Sequence, residues 1–224
     1  MKYRHEFKFQ LSPSEYLAVR ARLRAVLTPD VHTDNHHEYQ VRSVYFDTPG
    51  DKALREKIDG VNAREKFRIR FYNGDLSHIR LEKKSKINGL SSKQSEPISQ
   101  EEARQLLEEI PFSPPAGREL LAELICKMQY QQLKPKIIVD YTREPFVFAA
   151  GNTRVTIDRA IRTGKVTGAQ AMTPMAVTIP ARTQGALLEV KYDEFLPEIV
   201  RNVVQLGKRQ AGAFSKYAAC RVYG

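Results

Sequence analysis

The chain has 224 residues, 42% of them hydrophobic and 28% charged, with a formal net charge of +10. That length accommodates a sizeable core, and the composition excludes disordered, fibrous and collagen-like classes. The positive balance points to an anionic partner: nucleic acid, nucleotide, polyphosphate or an acidic membrane surface.

The first alternating run covers residues 3–10 and reads as a strand. Ser12-Pro13-Ser14-Glu15 opens a helix, with Ser12 as N-cap, Pro13 in the first turn and Glu15 closing a capping box. This helix should stop before Thr28-Pro29. Val41–Asp47 is a β-rich run ended by Thr48-Pro49-Gly50, and a short helix follows near Asp51–Lys57.

Ala63–Tyr72 and Ser77–Lys86 form a hairpin around Asn73-Gly74-Asp75. In the first arm Lys66, Arg68 and Arg70 share one parity, and Phe67, Ile69 and Phe71 share the other. In the second arm Arg80, Glu82, Lys84 and Lys86 share a face, with Ile79 and Leu81 behind. Strand side chains alternate with period two, so one face is apolar and the other strongly cationic. Ile87–Ser95, with its Gly and Ser residues and Lys93, reads as a loop.

A helix from Ser99 to Glu109, a break at Pro111–Pro115 and a helix over Gly117–Gln129 come next. Lys136–Arg143, Phe146–Ala149, Arg154–Asp158 and Leu187–Tyr192 are strands, and Thr163–Thr178 holds weaker ones. Leu196–Gly207 is a helix, and Phe214–Tyr223 closes the chain as a short helix or turn. With no sharp shift in composition and no repeat, residues 1–224 are expected to form one domain.

Cys126 and Cys220 are far apart and in no metal-ligand spacing, so both are expected to be free thiols, with Cys126 buried on its helix. His32, His36 and His37 lie in a polar loop and do not make a zinc pattern. Tyr45 and Phe46 read as strand core. The N-terminal MKYRHEFKFQ lacks a signal-peptide core, and no apolar run reaches membrane-spanning length. A cytoplasmic protein is expected.

The charged faces collect many cations and few carboxylates: Arg4, Glu6, Lys8, Lys66, Arg68, Arg70, Arg80, Glu82, Lys84, Lys93, Arg143, Arg154, Asp158, Glu189, Lys191 and Lys216. Guanidinium and ammonium groups bind phosphate oxygens, and a few carboxylates can hold a divalent ion that bridges them. No Walker-type Gly-rich loop and no Ser-His-Asp arrangement competes with this reading. Period alone leaves two arrangements open: a sheet with its charged face to solvent, or a barrel closed around that face.

The ordered segments R-H-E-F-K (4–8), S-V-Y-F-D-T-P (43–49), K-F-R-I-R-F-Y (66–72), L-E-K-K (81–84), S-S-K (91–93), Y-T-R (141–143), L-E-V-K (188–191) and F-S-K-Y (214–217) resemble a known family. It is the polyphosphate polymerase domain of the vacuolar transporter chaperone (VTC) complex, within the CYTH-like triphosphate tunnel metalloenzyme superfamily. The superfamily strand E-x-E-x-K here begins with Arg4, followed by Glu6 and Lys8.

The resemblance implies an α+β fold, a closed eight-stranded antiparallel β-barrel with flanking helices. It implies ATP-dependent phosphotransfer to a growing polyphosphate chain. Lys8, Arg68, Arg70, Lys84, Arg143 and Lys216 would be catalytic. Arg4, Lys66, Arg80, Lys93, Tyr141, Arg154, Lys191 and Ser215 would bind phosphate, and Glu6, Glu82 and Glu189 would hold Mn²⁺ or Mg²⁺. The partners implied are ATP, polyphosphate and a separate membrane protein that transports the product and brings the domain to the membrane periphery; nucleic acid is not expected. The alternatives are a metal-dependent triphosphatase in the same tunnel and a non-catalytic polyphosphate- or RNA-binding module. Because the tunnel cations should repel one another when it is empty, Arg68→Ala or Lys216→Ala is expected to abolish turnover and spare the fold.

Overall fold

A computed structural model of the protein describes residues 4–88, 90–183, 185–206 and 211–223. The strands in chain order are β1 (His5–Leu11), β2 (Thr28–Pro29), β3 (Tyr39–Asp47), β4 (Arg64–Tyr72), β5 (Asp75–Ile87), β6 (Leu90–Ile98), β7 (Lys134–Phe148), β8 (Thr153–Lys165), β9 (Ile179–Pro180) and β10 (Ala186–Tyr192). The helices are α1 (Pro13–Val26), α2 (Lys52–Ile58), α3 (Gln100–Leu107), α4 (Glu119–Tyr130), α5 (Glu198–Val203) and α6 (Lys216–Tyr223). None of them is long and apolar enough to cross a membrane.

The local signals act as their chemistry dictates. Ser12 Oγ accepts from the Glu15 N–H while the Glu15 carboxylate accepts from the Ser12 N–H, a reciprocal capping box that starts α1. Ser99 and Glu102 do the same for α3. Asn73 and Gly74 both take positive φ, as a two-residue hairpin between β4 and β5 requires.

Eight strands form one antiparallel sheet in the order β1-β10-β8-β7-β3-β4-β5-β6, with β2 added to β7 and β9 to β8. The expected closed barrel is not what forms. β1 and β6 end the sheet without pairing with each other, and the sheet curls into an open half-barrel. At Lys8 the β1 carbonyl accepts from the N–H of Gly212, so the segment before α6 occupies that edge. The two rims still approach, since Lys84 Nζ on β5 lies 3.4 Å from Glu6 Oε2 on β1.

Two further expectations are corrected. Residues 90–95, read as loop, belong to β6, which pairs with β5 from Ile87↔Leu90 to Ile79↔Ile98. S-S-K-Q-S-E shows no apolar alternation because this edge strand buries little before Ile98; backbone pairing and polar contacts such as Arg80 to Ser95 hold it. Lys136–Arg143 and Phe146–Ala149 are one strand, β7. Pro145 is tolerated there because it lies beyond the last β3 pair, Tyr39↔Arg143.

The apolar parity of each strand faces outward onto helices. Phe67, Ile69, Phe71, Ile79 and Leu81 pack with Leu106, Leu121 and Leu124 of α3 and α4. Leu11, Phe146, Val155, Ile157, Leu188 and Val190 pack with Val19 and Leu23 of α1 and Val200 of α5. Every large apolar side chain buried this way is worth about 1.5–3 kcal/mol. The inner face keeps the charge, and a third cluster there, Val41, Tyr45, Val139, Tyr141 and Ile161, seats α6 through Tyr217 and Cys220. Cys220 is buried; Cys126 is exposed, contrary to expectation, since its side of α4 turns away from the sheet.

Candidate functional site

The concave face is a trough of paired charges. At its centre the buried Glu82 carboxylate on β5 takes Arg68 Nη2 at 2.6 Å, Arg70 Nη1 at 3.8 Å and the Lys93 ammonium. Arg68 also donates to the Tyr45 hydroxyl at 2.7 Å. Arg70 donates to Ser43 Oγ at 2.9 Å and to the Tyr141 hydroxyl at 3.1 Å. Burial alone would raise the Glu82 carboxyl, but Arg68, Arg70 and Lys93 outweigh it and hold the group far below the ordinary carboxylate range.

A second centre lies on β7, β8, β10 and α6. Arg143 grips Asp158 with two hydrogen bonds of 2.6 and 2.7 Å. Lys216 Nζ lies 2.5 Å from Asp158 and 2.9 Å from Glu189, and 4.8 Å above the Tyr141 ring. Burial opposes all of these charges. Even so, Asp158 is held below its usual range by Arg143 and Lys216, and Glu189 well below by Lys216, Lys191 and Lys8. Lys216 is held above the usual lysine value by the two carboxylates.

Glu6 joins the two rims. It meets Lys8 at 3.5 Å, Lys84 at 3.4 Å and Lys191 at 3.3 Å, and against the effect of burial these ammonium groups bring it down to about 2. Lys66 lies over the Tyr45 and Tyr217 rings and 3.4 Å from Ser215 Oγ; burial, with Lys84, Arg68 and Lys8 nearby, brings it down to about 8. Ser215 Oγ also accepts from the Ala218 N–H at the start of α6.

Three candidates stand toward the ends of the trough. Arg4 pairs with Asp193 at 2.8 Å and donates to the Asn152 carbonyl. Arg80 donates to Ser95 Oγ at 2.7 Å. Arg154 pairs with Asp30 at 3.0 Å and donates to the Tyr39 hydroxyl at 3.2 Å. All the other candidates meet in the two centres or at the Glu6 bridge.

The three candidate metal ligands do not converge. Glu6 and Glu189 both contact Lys191 Nζ at 3.3 Å, whereas Glu82 belongs to the Arg68 centre. Among the described residues no group of three or more His, Cys, Asp or Glu side chains is placed to hold an ion. The Thr156 hydroxyl, paired across β8–β10 with Glu189, is buried and has no hydrogen-bond partner. Two carboxylates and a vacant hydroxyl fit an ion that takes most of its oxygens from substrate phosphates and water, as Mg²⁺ does.

Sequence reasoning left Tyr45, Ser43 and Thr156 out of the site. The signal existed: Ser43 and Tyr45 share the parity opposite Val44 and Phe46. Tyr45 is the more consequential. Burial would raise its phenol, yet Arg68, Lys66 and Arg70 pull it down to about 7.

The family model of the VTC domain matches residues 3–223. The chain belongs to the VTC domain family. Among curated protein sequences none matches it. This VTC domain is similar in fold to a candidate adenylate cyclase from Bacillus halodurans, with 16% identity and a TM-score of 0.52 over 85% of this chain and 80% of that one. The PH1012 protein of Pyrococcus horikoshii gives 12% identity and a TM-score of 0.48 over 93% and 94% of the two chains. A conserved hypothetical protein of Pyrococcus furiosus gives 12% and 0.48 over 96% and 99%.

Proposed function

We propose that this VTC domain is an ATP-dependent polyphosphate polymerase. The observation that carries the reading is the concave face, where, among the described residues, Lys8, Arg68, Arg70, Lys84, Lys93, Arg143, Lys191 and Lys216 converge on four carboxylates, Glu6, Glu82, Asp158 and Glu189, with Lys66 beside them. An excess of guanidinium and ammonium groups in a confined trough is complementary to a chain of phosphates.

In the reaction a terminal oxygen of the polyphosphate chain attacks the γ-phosphorus of ATP. The bond from the γ-phosphorus to the β,γ-bridging oxygen breaks, and ADP leaves with the electron pair. A terminal phosphate is already an anionic nucleophile, so positioning and charge neutralisation supply the catalysis. Arg68 and Arg70, steadied by Glu82, Tyr45 and Ser43, would hold one phosphate. Arg143 and Lys216, steadied by Asp158, would hold the next. Glu6 and Glu189 would hold a divalent ion, Mn²⁺ or Mg²⁺, which neutralises charge on the transferring group when bound.

The test is purified protein with ATP and Mn²⁺, followed by ³¹P NMR. ADP with a growing signal from internal chain phosphates is the expected result. ADP with stoichiometric free phosphate would make the domain a triphosphatase. Polyphosphate binding with no turnover would make it a binding module.

A further inference from the structure

A cavity of about 450 Å³ continues the trough to one mouth, between β1, α2, β4 and β5, and is lined there by Lys57, Arg64 and Lys86. Arg64 and Lys86 are cross-strand partners, one step outward from the Lys66↔Lys84 pair. Arg64 stands four residues from Arg68, about 13 Å along the strand.

This mouth differs from the rest of the trough in its charge balance. Both carboxylates that line it are committed elsewhere: Glu6 to Lys8, Lys84 and Lys191, and Glu65 to Lys83 and Lys127 on the outer face. Arg64 donates to the Val61 carbonyl at 2.6 Å, a neutral partner. The Lys57 ammonium is pushed down by burial and by the crowding of Arg64, Lys8 and Lys86. At the opposite end Arg154 has Asp30 and Arg4 has Asp193. At that end only Arg80, held by Ser95, has no carboxylate partner among the described residues, whereas at the mouth Lys57, Arg64 and Lys86 all lack one.

We infer that Lys57, Arg64 and Lys86 form a chain-binding subsite that holds phosphates of a long polyphosphate beyond the reach of a triphosphate, and that the polymer runs out of the trough through this mouth. The inference rests on the polymer reading of the trough. It adds a direction to that reading and a determinant of ligand length.

The test compares equilibrium binding of inorganic tripolyphosphate and of long-chain polyphosphate to the full chain, for wild type and for the Lys57→Gln, Arg64→Gln, Lys86→Gln triple variant. Loss of three charge-assisted contacts should weaken long-chain binding by at least about tenfold. Tripolyphosphate held at the Arg68 and Arg143 centres should lose several-fold less than the long chain, because Arg68 lies about 13 Å along the strand from Arg64, beyond a Debye length of ~10 Å. The slope of log affinity against log salt for the long chain should become shallower by about two. Equal loss for both ligands, or no loss for either, would overturn the subsite while leaving the polymer reading intact. A wild type that binds tripolyphosphate and gains nothing from a longer chain would overturn both. Should the triple variant fail to fold, Lys57→Gln alone, half-buried on a short helix that lines the mouth, carries the same length-selective expectation at about threefold.

Discussion

Lys216→Met is the sharpest perturbation of the trough. In the wild type the Lys216 ammonium is within 2.5 Å of Asp158 and 2.9 Å of Glu189, and all three side chains are almost fully buried. Removing it leaves two buried carboxylates facing each other. Breaking a buried pair by deleting one partner costs ~3–5 kcal/mol. The lower end applies here, since Arg143 still holds Asp158 and Lys8 and Lys191 still reach Glu189. About 3 kcal/mol corresponds to a fall of ~9 °C in Tm for a chain of this size.

The pH dependence identifies the cause. Depressed carboxyls contribute stability that is complete above their ordinary value near ~4 and lost as pH falls through the lower folded value. The raised Lys216 contributes below its ordinary value near ~10 and loses that contribution only at higher pH. Between pH 5 and 8 the wild-type cluster is thus constant. In the variant the two carboxyls shift upward, and the folded state takes up a proton as the pH falls, recovering ~1.4 kcal/mol for each unit below the new value.

Urea unfolding at pH 8 and pH 5 should show the gap between variant and wild type narrowing on acidification. A variant as stable as wild type at pH 8 would refute the reasoning and would mean that repulsion among the tunnel cations dominates. The sequence reading expected that repulsion. The structure argues against it, because Arg68 and Lys216 are each matched to buried carboxylates.

Two further outcomes are expected. Tyr45 should ionise with a midpoint near 7 in ligand-free protein, giving a phenolate absorbance step that Tyr45→Phe removes. Saturating tripolyphosphate should move the step to higher pH, because bound anion offsets Arg68, Lys66 and Arg70. Glu144 on β7 is fully buried and bridges Arg20 and Arg24 of α1 at 2.8 Å each; Glu144→Gln should cost about 2 kcal/mol in urea unfolding. Tripolyphosphate affinity should not follow that change, since the contact lies on the helix-covered side.

Where sequence chemistry is local, it was legible. Period-two alternation located the charged faces of β4 and β5, and the capping boxes at Ser12 and Ser99 located the starts of α1 and α3. Long-range features were not. β6 gives no alternation because an edge strand with little to bury has no need of it. The β1 edge is met by Gly212, two hundred residues along the chain from Lys8. Arg4 continues the parity of Glu6 and Lys8 but lies before the first strand pair, His5↔Tyr192, so it pairs with Asp193 at the end of the trough. Tyr45 was hidden by its type: an aromatic in a β-rich run reads as core, and here its ring is core while its hydroxyl belongs to the site.

The pairing of the trough also bears on its ligand. A cationic cavity without counter-charges would bind any anion tightly and release it slowly. Here the carboxylates act as internal counterions: Glu82 holds Arg68 and Lys93, Glu6 holds Lys84, and Glu189 and Asp158 hold Lys216. A phosphate entering the trough must compete with these carboxylates for the same donors, so part of its electrostatic gain is offset by the pairs it loosens. That favours an anion with many phosphates in register over a single phosphate. On the proposed reading, the mouth at Lys57, Arg64 and Lys86 would add a pull toward one end, where the cations have no carboxylate partners among the described residues.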